Sequence, residues 1–578
     1  MFRRLFATQR LVSPFRRSQP ITSYHNISGK QNTLSRGLFR PSLLLLGTAA
    51  CAATLVGQSC LYADEEKEEY GNDKRATELA EDASHAHGSK RASAARHVPE
   101  EMIQQLQEIF GENCILDQSA REPYGKDFSY NKGKTPDVVV VPTKVEQIQK
   151  VVELCAKHKV PIVAYGAGTS LEGHINAVEG GGEEEESEGG EVPQMIEVHA
   201  EDMLCVVEPG ITYDELNQKL KPYGYFFPMD PGPGASIGGM VGTSCSGTNA
   251  YRYGTMKENV LSLNVVLPSG KMMKTRQRAK KSSAGYDLNH LFIGAEGTLG
   301  VVTQVTLKIQ KIPQNRAVAL AQFETIRQAA NVAISVVQEG EYIIDGLLKY
   351  LKKGIQIGKI ELLDDVMMKA VNLNNGTEYK ELTTLLFEFA GSELSIKEQR
   401  NRIEELTKEN NGSKLQFATE QEDREALWMA RKTALWSAPI LKEGSEVKIT
   451  DVCVPISKIA DCIQQTKDDI RDSTLLGPIV GHMGDGNFHS FILLDPNNPK
   501  DLEETHRLDH RMIERAISMG GTCTGEHGVG VGKRDYLPLE LGEEAVELMR
   551  TLKRAIDPDN IMNPGKVMPD KEPIKKED

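Results

Sequence analysis

The chain after residue 137 alternates short apolar runs with amphipathic stretches. Residues 138–141 and residues 161–164 are apolar runs that predict two buried strands. Between them, Thr143 and Glu146 have the spacing of a capping box, which predicts the start of a helix. The apolar stripe of that helix is formed by Val145, Ile148, Val152 and Cys155. A strand, a helix and a strand in this order predict a right-handed crossover and two parallel strands.

Further apolar runs of strand length occur later in the chain, and the region from about 314 to 540 mixes such runs with amphipathic helices. These runs lie at 205–207, 263–267, 300–309 and 384–389. A chain of 578 residues is too long for one ordinary core, so two or more domains are expected. The mixture predicts the α+β class.

Residues 479–492 carry the most specific local pattern. Asp485 and Gly486 lie between two apolar runs, which is the signal of a two-residue type I′ hairpin turn. Such a turn pairs His482 with His489 and places both on one face, with Cβ atoms about 5 Å apart. Two imidazoles at this separation can share a divalent cation; the alternative is a cross-strand histidine pair satisfied by neighbouring groups.

The first 63 residues are basic and contain no Asp or Glu. Their eight Lys and Arg residues, interleaved with Leu and Phe, are typical of a mitochondrial presequence, and the alternative is a basic tail that binds nucleic acid. Residues 42–63 are apolar over the length of one membrane span, although a removed sorting signal has the same pattern. We therefore predict a presequence at 1–41, a transmembrane anchor at 42–63 and a polar linker at 64–98. The Arg-rich side faces the matrix in this arrangement, so the body lies in the intermembrane space.

Charge and cysteine usage narrow the function classes. The formal net charge is −14, and the basic first segment leaves the body more acidic still. An acidic body repels nucleic acid and suits a basic protein partner. The nine cysteines form no C-x-x-C pair, which argues against a zinc ribbon.

Three glycine-rich segments follow predicted strands or turns. They lie at 165–170, at 230–248 and at 294–300. Glycines allow close approach of the backbone, and successive N–H groups can cradle a pyrophosphate. Because neither the G-x-G-x-x-G fingerprint nor the Walker loop occurs in them, they indicate another type of cofactor fold.

The order of these segments, with residues 283–288 and 563–566, resembles the FAD-linked oxidases of the p-cresol methylhydroxylase (PCMH) and vanillyl-alcohol oxidase superfamily, from about residue 136 to 567. Residues 250–259 and the predicted anchor are most similar to the cytochrome-linked D-lactate dehydrogenases of fungal mitochondria. The resemblance implies an α+β fold with a PCMH-type FAD-binding domain of two subdomains at 99–313. It also implies an α+β substrate (cap) domain with an antiparallel sheet at 314–541, and a C-terminal tail at 542–578 that returns to the FAD domain.

The resemblance implies FAD as a cofactor. The link is expected to be non-covalent, because no histidine precedes the first glycine-rich segment, where some relatives attach the flavin. The residues that the resemblance places around FAD are Gly166, Ala167, Gly168, Thr169, Ser170, Asp230, Ser236, Gly239, Thr243, Ser246, Gly247, Glu296, Val302 and Asn563.

The resemblance also assigns the chemistry. It makes His482, His489 and Glu526 the metal ligands and His527 the catalytic base. Two imidazoles and a carboxylate suit zinc, manganese or iron, and the sequence does not choose among them. A metal beside an alcohol stabilises the developing alkoxide, and a neutral histidine accepts its proton.

Two basic residues are implied as ligands of the substrate carboxylate. Arg431 matches the family's W-x-x-R motif, although an Arg on a helix is usually solvated, and Lys448 matches only with a one-residue gap. Arg suits a carboxylate better than Lys because its planar fork binds two oxygens. Leu435 stands where relatives that act on a longer acid have Thr, which favours a substrate with a small apolar end.

The expected reaction is FAD-dependent oxidation of D-lactate to pyruvate, with cytochrome c as the electron acceptor at the inner mitochondrial membrane. D-2-hydroxyglutarate or glycolate oxidation on the same fold is the first alternative. The second is a flavin-free, membrane-bound scaffold that binds metal.

Two stretches depart from the family pattern. Residues 180–191 are acidic Gly/Glu low-complexity sequence, which predicts a solvated loop in place of a strand. Residues 341–353 look like an insertion before the apolar run that starts near residue 357.

Overall fold

The computed structural model describes residues 96–129, 131, 133–177, 182–185, 197–340, 355 and 357–569. All of them belong to one compact unit, which spans residues 90–578. The predicted presequence, the anchor at 42–63, most of the linker and the apparent insertion at 341–353 lie outside the described residues. Across the described ranges, no helix has both the length and the apolar character of a membrane span.

The first sheet has four strands in the order β1-β2-β4-β3. Its strands are β1 (Cys114–Ile115), β2 (Val138–Val140), β3 (Ile162–Tyr165) and β4 (Gly182–Glu185). Both β2 and β3 pair with β4 in parallel, so the prediction of two parallel strands is confirmed, with a third strand between them.

The prediction of a solvated loop at 180–191 is wrong for residues 182–185, which form β4. The physical reason is that a parallel ladder joins backbone N–H and C=O groups, so a segment with unsuitable side chains can still fill the space between two strands. The remaining residues of that stretch lie outside the described ranges.

The helix Val145–His158 joins β2 to β3 and starts as the apolar stripe predicts, but its cap differs. Lys144 is the N-cap, and the side-chain oxygen of Gln147 accepts the backbone N–H groups of Thr143 and Lys144 at 2.8 and 3.2 Å. The predicted Thr143–Glu146 box is therefore wrong by one residue. Glutamine accepts as well as glutamate does at the third helical position, and one oxygen of Gln147 accepts two N–H groups.

The second sheet has five antiparallel strands in the order β5-β6-β10-β8-β9, and a two-stranded ribbon accompanies it. The sheet consists of β5 (Glu197–His199), β6 (Leu204–Val207), β8 (Val260–Val266), β9 (Met272–Lys274) and β10 (Val301–Lys308). The ribbon consists of β7 (Tyr225–Phe226) and β11 (Gln310–Lys311). The glycine-rich segments after residues 230 and 294 lie in the connections of this sheet.

The third sheet is the largest and is antiparallel throughout. Its order is β15-β12-β14-β13-β18-β19-β16, with β17 also paired to β19. The strands are β12 (Asn315–Phe323), β13 (Ile357–Leu363), β14 (Thr383–Gly391), β15 (Gln416–Ala418), β16 (Glu446–Ile449), β17 (Val452–Cys453), β18 (Ile479–His482) and β19 (Asn487–Leu494).

Helices cover both faces of this third sheet. The buried side chains of one face form a core with the helices Ile326–Gly340, Glu393–Glu409, Ile459–Arg471 and Pro499–Ser518. Those of the other face form a core with the helices Asp365–Asn375, Gln421–Lys432 and Ala434–Ser437. The remaining α-helices are Glu100–Phe110, Gln118–Arg121, Tyr213–Leu220, Ile237–Thr243, Ala250–Tyr253, Met256–Asn259, Leu288–Phe292, Leu537–Leu541 and Glu543–Ile556. Helices and mainly antiparallel sheets make this an α+β protein, as predicted.

The chain end runs back to the first sheet. Asn563 donates its backbone N–H to the carbonyl of Ile162 in β3 at 2.8 Å, and the N–H of Ile162 donates to Ile561 at 2.8 Å. The tail therefore extends the edge of β3, directly before the first glycine-rich segment.

Candidate active site

The two histidines of the predicted hairpin lie on one face of the third sheet, but the hairpin differs from the prediction. His482 pairs with Asn487, and His489 pairs with Val480, so the loop has four residues and the predicted His482–His489 pairing is wrong. A type I′ turn needs two residues with positive φ, and of the two predicted turn residues Gly486 alone has one, at +84°. The rings are diagonal neighbours, with centroids 5.5 Å apart.

Glu526 completes a group of three possible metal ligands, here called the metal trio: His482, His489 and Glu526. Its Oε1 lies 3.2 Å from Nε2 of His482 and 3.1 Å from Nε2 of His489. The three ligand atoms all lie within 4.8 Å of one another. Thus the structure brings the three residues assigned by resemblance to one point.

The outer nitrogens of both imidazoles are held by other groups. Nδ1 of His482 lies 2.8 Å from Oε1 of Glu361, and Nδ1 of His489 lies 2.9 Å from the carbonyl of Thr450. Such outer contacts fix the tautomer and direct both Nε2 atoms inward, as in histidine metal sites. The donor set therefore fits a divalent cation.

Electrostatics at the metal trio favour a positive charge. Burial alone would lower the pKa of His482, but Glu361 and Glu526 raise it well above its usual value. Burial would raise the pKa of Glu526, and the neighbouring His482 and His489 lower it well below its usual value. A carboxylate held ionised beside buried imidazoles is a site where a cation can replace a proton.

His527 lies next to the trio on the glycine-rich loop of residues 522–530, here called the Glu526 loop. Its ring stacks on that of His489, with centroids 4.8 Å apart and an angle of 11° between the planes. Burial lowers the pKa of His527 to about 4. Its Nδ1 is buried and has no hydrogen-bond partner among the described residues. A neutral, unpaired imidazole of this kind can accept a proton.

Asp451 holds the Glu526 loop in place from the cap side. Its Oδ2 accepts the backbone N–H groups of Gly525, Glu526 and His527 at 2.8, 2.9 and 2.9 Å. Burial would raise the pKa of this carboxyl, but the charges of His527, Lys533 and His489 lower it far below its usual value. Asp451 also forms a second possible ligand group with His489 and His527.

The sequence prediction missed Asp451 and Glu361, which orient the predicted residues. A signal was present, because Glu361 interrupts an apolar strand and Asp451 directly precedes another. A carboxylate in a buried strand is costly unless it has partners, and it therefore marks a polar network.

Arg431 contacts the trio through Glu361. Its Nε lies 2.7 Å from Oε2 of Glu361, whose other oxygen binds His482. Glu361 is the partner of Arg431 among the described residues, so both terminal Nη groups can still bind a ligand carboxylate. Leu435 lies one helical turn further on, partly buried against the adjacent core.

Lys448 lies in a different environment. Its Nζ is 3.4 Å from both oxygens of Glu172 and 3.6 Å from Asp509, and its side chain is buried. The carbonyl of Glu172 accepts the N–H groups of Val531 and Gly532, so this cluster borders the Glu526 loop. Since carboxylates of the protein already engage Lys448, its contact with a substrate stays a prediction.

The first glycine-rich segment, Gly166 to Ser170, follows β3. None of its five backbone N–H groups donates a hydrogen bond to another described residue. Gly168 has a φ of +65°, and a Cβ on Gly166 would lie 2.4 Å from Oγ of Ser236. Unpaired N–H groups on a loop without side-chain bulk fit the pyrophosphate of FAD.

The second glycine-rich segment lies against the first and reaches the metal trio. Ser236 caps the helix Ile237–Thr243 by accepting the N–H of Gly239, and Thr243 donates to the carbonyl of Gly239 at 3.1 Å. Ser246 donates to Oε2 of Glu526 at 2.6 Å. The second glycine-rich segment and the metal trio are thus joined by a direct hydrogen bond.

Asp230 and Gly247 approach each other behind this segment. A Cβ on Gly247 would lie 2.7 Å from the carbonyl of Asp230. The Asp230 carboxylate is 2.8 Å from Nζ of Lys359 in β13, so it forms an ion pair with the third sheet. Val302 is in β10, opposite Val265, and belongs to the second sheet.

Glu296 and Asn563 close the arrangement from the third glycine-rich segment and the tail. Nδ2 of Asn563 donates to the carbonyls of His174 and Glu296 at 3.0 and 2.7 Å. The carboxylate of Glu296 accepts the N–H groups of Val529 and Gly530, in the Glu526 loop. The cofactor role of Glu296 stays a prediction, and its carboxylate is already engaged by this loop.

Comparison with known proteins identifies the family of the chain. Residues 136–276 match the family model of the FAD binding domain, and residues 312–567 match that of the FAD linked oxidases, C-terminal domain. The mitochondrial cytochrome D-lactate dehydrogenase of Arabidopsis thaliana is 47% identical over 82% of this chain and 81% of its own length. The mitochondrial cytochrome D-lactate dehydrogenase 1 of Saccharomyces cerevisiae is 41% identical over 75% of this chain and 72% of its own length.

Solved structures support the fold. The 4-ethylphenol oxidase of Gulosibacter chungangensis superposes with a TM-score of 0.67 at 16% identity, over 82% of this chain and 99% of that chain. At such low identity the likeness concerns the fold alone, and it agrees with the predicted PCMH-type architecture. The chain belongs to the FAD-linked oxidase family, in the group of the mitochondrial cytochrome D-lactate dehydrogenases.

Proposed function

We propose that this protein is an FAD-dependent dehydrogenase that oxidises D-lactate to pyruvate and passes the electrons to cytochrome c. The observation that carries the proposal is the convergence of a neutral histidine, a possible cation site and an available arginine beside the FAD-binding segments. His527 stacks on His489 of the metal trio, and Arg431 reaches the trio through Glu361. Similarity to the named D-lactate dehydrogenases supports the same activity.

The reacting end of a 2-hydroxy acid has three groups; this chain has a partner for two of them, and FAD would be the partner of the third. The Nη groups of Arg431 bind the carboxylate as a fork. His527, whose pKa of about 4 leaves it neutral at physiological pH, accepts the hydroxyl proton. FAD, when bound, supplies the acceptor for the hydrogen and electron pair that leave the α-carbon.

We also propose a divalent cation, zinc, manganese or iron, at the metal trio. Two imidazole nitrogens and a carboxylate oxygen face one point, and protein groups hold the outer nitrogens. A cation there would lower the pKa of a substrate hydroxyl, which is otherwise too weak an acid to lose its proton at neutral pH. The choice among the three metals depends on supply as well as on ligand type.

The substrate is proposed to be short. Leu435 lies four residues after Arg431, one turn along the chain, and offers a methyl-sized group an apolar neighbour. A second carboxylate at the same place would lose hydration without gaining a partner, and for an ion this costs more than the roughly 2–7 kcal/mol of an unpaired neutral polar group. This argues for lactate over 2-hydroxyglutarate.

The proposed subcellular localisation rests on the relatives and on the sequence. Both named relatives are mitochondrial, so we propose a mitochondrial protein. The acidic composition suits a basic acceptor such as cytochrome c, which supports a body in the intermembrane space. The uncharged apolar run at 42–63 supports an anchor in the inner membrane.

The deciding experiment follows the flavin band of the purified protein without oxygen. D-lactate, L-lactate, glycolate and D-2-hydroxyglutarate are added separately, and D-lactate is expected to bleach the band fastest. The variant His527→Ala is expected to keep its flavin band but to bleach at least about 100-fold more slowly, the lower range for loss of a general base.

Each other result has a definite meaning. Fastest bleaching by D-2-hydroxyglutarate or glycolate would replace the proposed substrate by that acid. A purified protein without a flavin band would point to the metal-binding scaffold. Unchanged bleaching in His527→Ala would remove this histidine from the reaction.

A further inference from the structure

Two buried carboxylates hold the Glu526 loop from opposite sides. Asp451 of the cap side accepts three of its backbone N–H groups, as described above. On the other side, the Glu296 carboxylate accepts the N–H of Val529 at 2.7 Å and the N–H of Gly530 at 2.8 Å. The loop segment with Glu526 and His527 therefore lies between two fixed anions.

The Glu296 carboxylate is itself fixed by its surroundings. It is 7% exposed, and Nε2 of the buried His174 lies 3.3 Å from its Oε1. The backbone of both residues is tied to the chain end, because Asn563 donates to both of their carbonyls. These contacts hold the Glu296 carboxylate in one position, and that position fixes the N–H groups of Val529 and Gly530.

Gly528 of the loop leaves room for this carboxylate. Gly528 has a φ of +80°, and a Cβ on it would lie 2.9 Å from Oε1 of Glu296 and 2.6 Å from Nε2 of His174. Only a residue without a side chain lets the backbone approach so closely. Gly528 therefore lets the loop pack closely against Glu296, and the same loop carries the side chains of Glu526 and His527.

We infer that Glu296 is a positioning residue, which holds the Glu526 loop from the flavin-binding side so that Glu526 and His527 reach their working positions. This inference rests on the proposed function of those two side chains. It assigns to Glu296 a role through the loop, in place of the contact with FAD that the family resemblance implies. Outer partners of metal ligands typically change metal affinity or activity by about 10- to 100-fold when they are removed.

The test compares Glu296→Gln with Glu258→Gln in the full-length flavoprotein. Glutamine keeps the shape but turns one acceptor into an N–H₂ group, which faces a loop N–H. Glu258 also accepts a backbone N–H, from Thr255, but caps the separate helix Met256–Asn259, so it is the matched control. Three quantities are measured: flavin content, affinity for added Mn²⁺, and the separate kcat and KM for D-lactate.

The expected result for Glu296→Gln is full flavin content, with Mn²⁺ affinity and kcat each lower by about 10- to 100-fold and KM changed far less. Glu258→Gln is expected to match the unmodified protein in all three. Loss of flavin in a folded Glu296→Gln protein would overturn the inference, since Glu296 would then be a cofactor ligand. Unchanged Mn²⁺ affinity and kcat would overturn it as well.

A second variant covers the case in which Glu296→Gln does not fold. In Gly528→Ala the added Cβ would push the loop away from the Glu296 carboxylate. The same loss of Mn²⁺ affinity is therefore expected. Normal Mn²⁺ affinity in Gly528→Ala would contradict the inference. Because the metal titration needs no substrate, it stays informative even if the unmodified protein fails to oxidise D-lactate, which would refute the proposed function alone.

Discussion

Asp451 is the residue on which the geometry of the Glu526 loop depends most. It is fully buried, accepts three backbone N–H groups of the loop through one oxygen, and binds Nδ2 of Asn487 through the other at 2.7 Å. The variant Asp451→Asn removes the charge that Lys533 faces, at 4.0 Å, and leaves N–H groups without an acceptor. Lys533 keeps Glu172 as a carboxylate partner at 3.8 Å, so the free energy of unfolding is expected to fall by about 1–3 kcal/mol, the cost of a buried donor left unsatisfied.

Urea denaturation measures this change, and Asp472→Asn is the control. Asp472 has a 74% exposed side chain, and an exposed substitution changes stability by less than about 0.5 kcal/mol. If both variants unfolded at the same urea concentration, the loop would not depend on the carboxylate of Asp451.

The acid side of the pH profile tests the environment of His527. Burial lowers its pKa to about 4, so the imidazole stays neutral at pH values where an exposed histidine gains a proton, near 6.5. kcat/KM for D-lactate is therefore expected to show no loss with an apparent pKa near 6.5 between about pH 5 and 8. A profile that falls with such a pKa would mean that His527 is solvated or is not the base.

The lowered pKa of His527 also makes the folding stability depend on pH. Between pH 4 and 6.5 the unfolded chain binds a proton at residue 527 that the folded chain does not bind. Stability from this group is thus lost as the pH falls through the usual histidine pKa, and it is regained as the pH rises.

At the level of single residues, the sequence identified side chains with unusual chemistry but not the groups that orient them. The local hairpin pattern singled out His482 and His489, whereas Glu526 and His527 were assigned by the family resemblance. Glu361 contacts His482 across 121 positions of the chain. A charge inside an apolar strand indicates a polar network there, but it does not indicate which distant residue is the partner. Such partners follow from the packing of strands, which the sequence of one element does not specify.

At the level of elements, Gly486 decides the shape of the hairpin loop. Its φ of +84° is unfavourable for other residues, and a Cβ would lie 2.0 Å from the carbonyl of Val454. Gly486→Ala is therefore expected to lower the free energy of unfolding by more than the cost of the backbone conformation alone, about 1–3 kcal/mol. The loop must shift, which separates the His482 and His489 rings and lowers Mn²⁺ affinity.

Gly444→Ala isolates the steric part of this effect. Gly444 has nearly the same φ, +80°, but no atom lies within 4 Å of the Cβ position. Its variant should lose only the conformational part of the stability and keep its Mn²⁺ affinity, as measured by urea denaturation and metal titration. Equal behaviour of the two variants would show that the contact with Val454 does not shape the hairpin.

Element types were easier to predict than their partners and registers. The two apolar runs around the helix Val145–His158 gave the strands β2 and β3, because apolar periodicity is a local property. The register of the β18–β19 hairpin depends on which loop residues tolerate positive φ. Strand β4 forms because its backbone can pair with both β2 and β3. Backbone pairing decided both, and side-chain patterns report it only weakly.

At the level of the whole molecule, the site belongs to several distant parts of the chain. The Glu526 loop is held by Asp451 after β16 and by Glu296 before β10, and Ser246 adds a hydrogen bond from the second glycine-rich segment. The family resemblance brought these parts together before any geometry was known, whereas composition and periodicity alone could not. The C-terminal tail is joined to these parts through Asn563, which donates hydrogen bonds to the carbonyls of His174 and Glu296.

Asn563 in the tail tests whether that closure supports flavin binding. Its Nδ2 donates to the carbonyls of His174 and Glu296, its Oδ1 accepts from Lys566 at 2.9 Å, and its backbone extends β3 directly before the first glycine-rich segment. Asn563→Ala leaves two buried carbonyls without their donor, which costs about 1–3 kcal/mol for each unsatisfied group. The flavin is therefore expected to dissociate more readily, and Tm should fall.

Asn560→Ala provides the matched control for this prediction. Asn560 lies three residues earlier in the same tail and also has a positive φ, but its side chain is exposed. Flavin release is measured by fluorescence during dilution and heating. Faster release from Asn563→Ala than from Asn560→Ala would show that the tail holds the FAD-binding segment through its buried amide, whereas equal release would mean that it acts on stability alone.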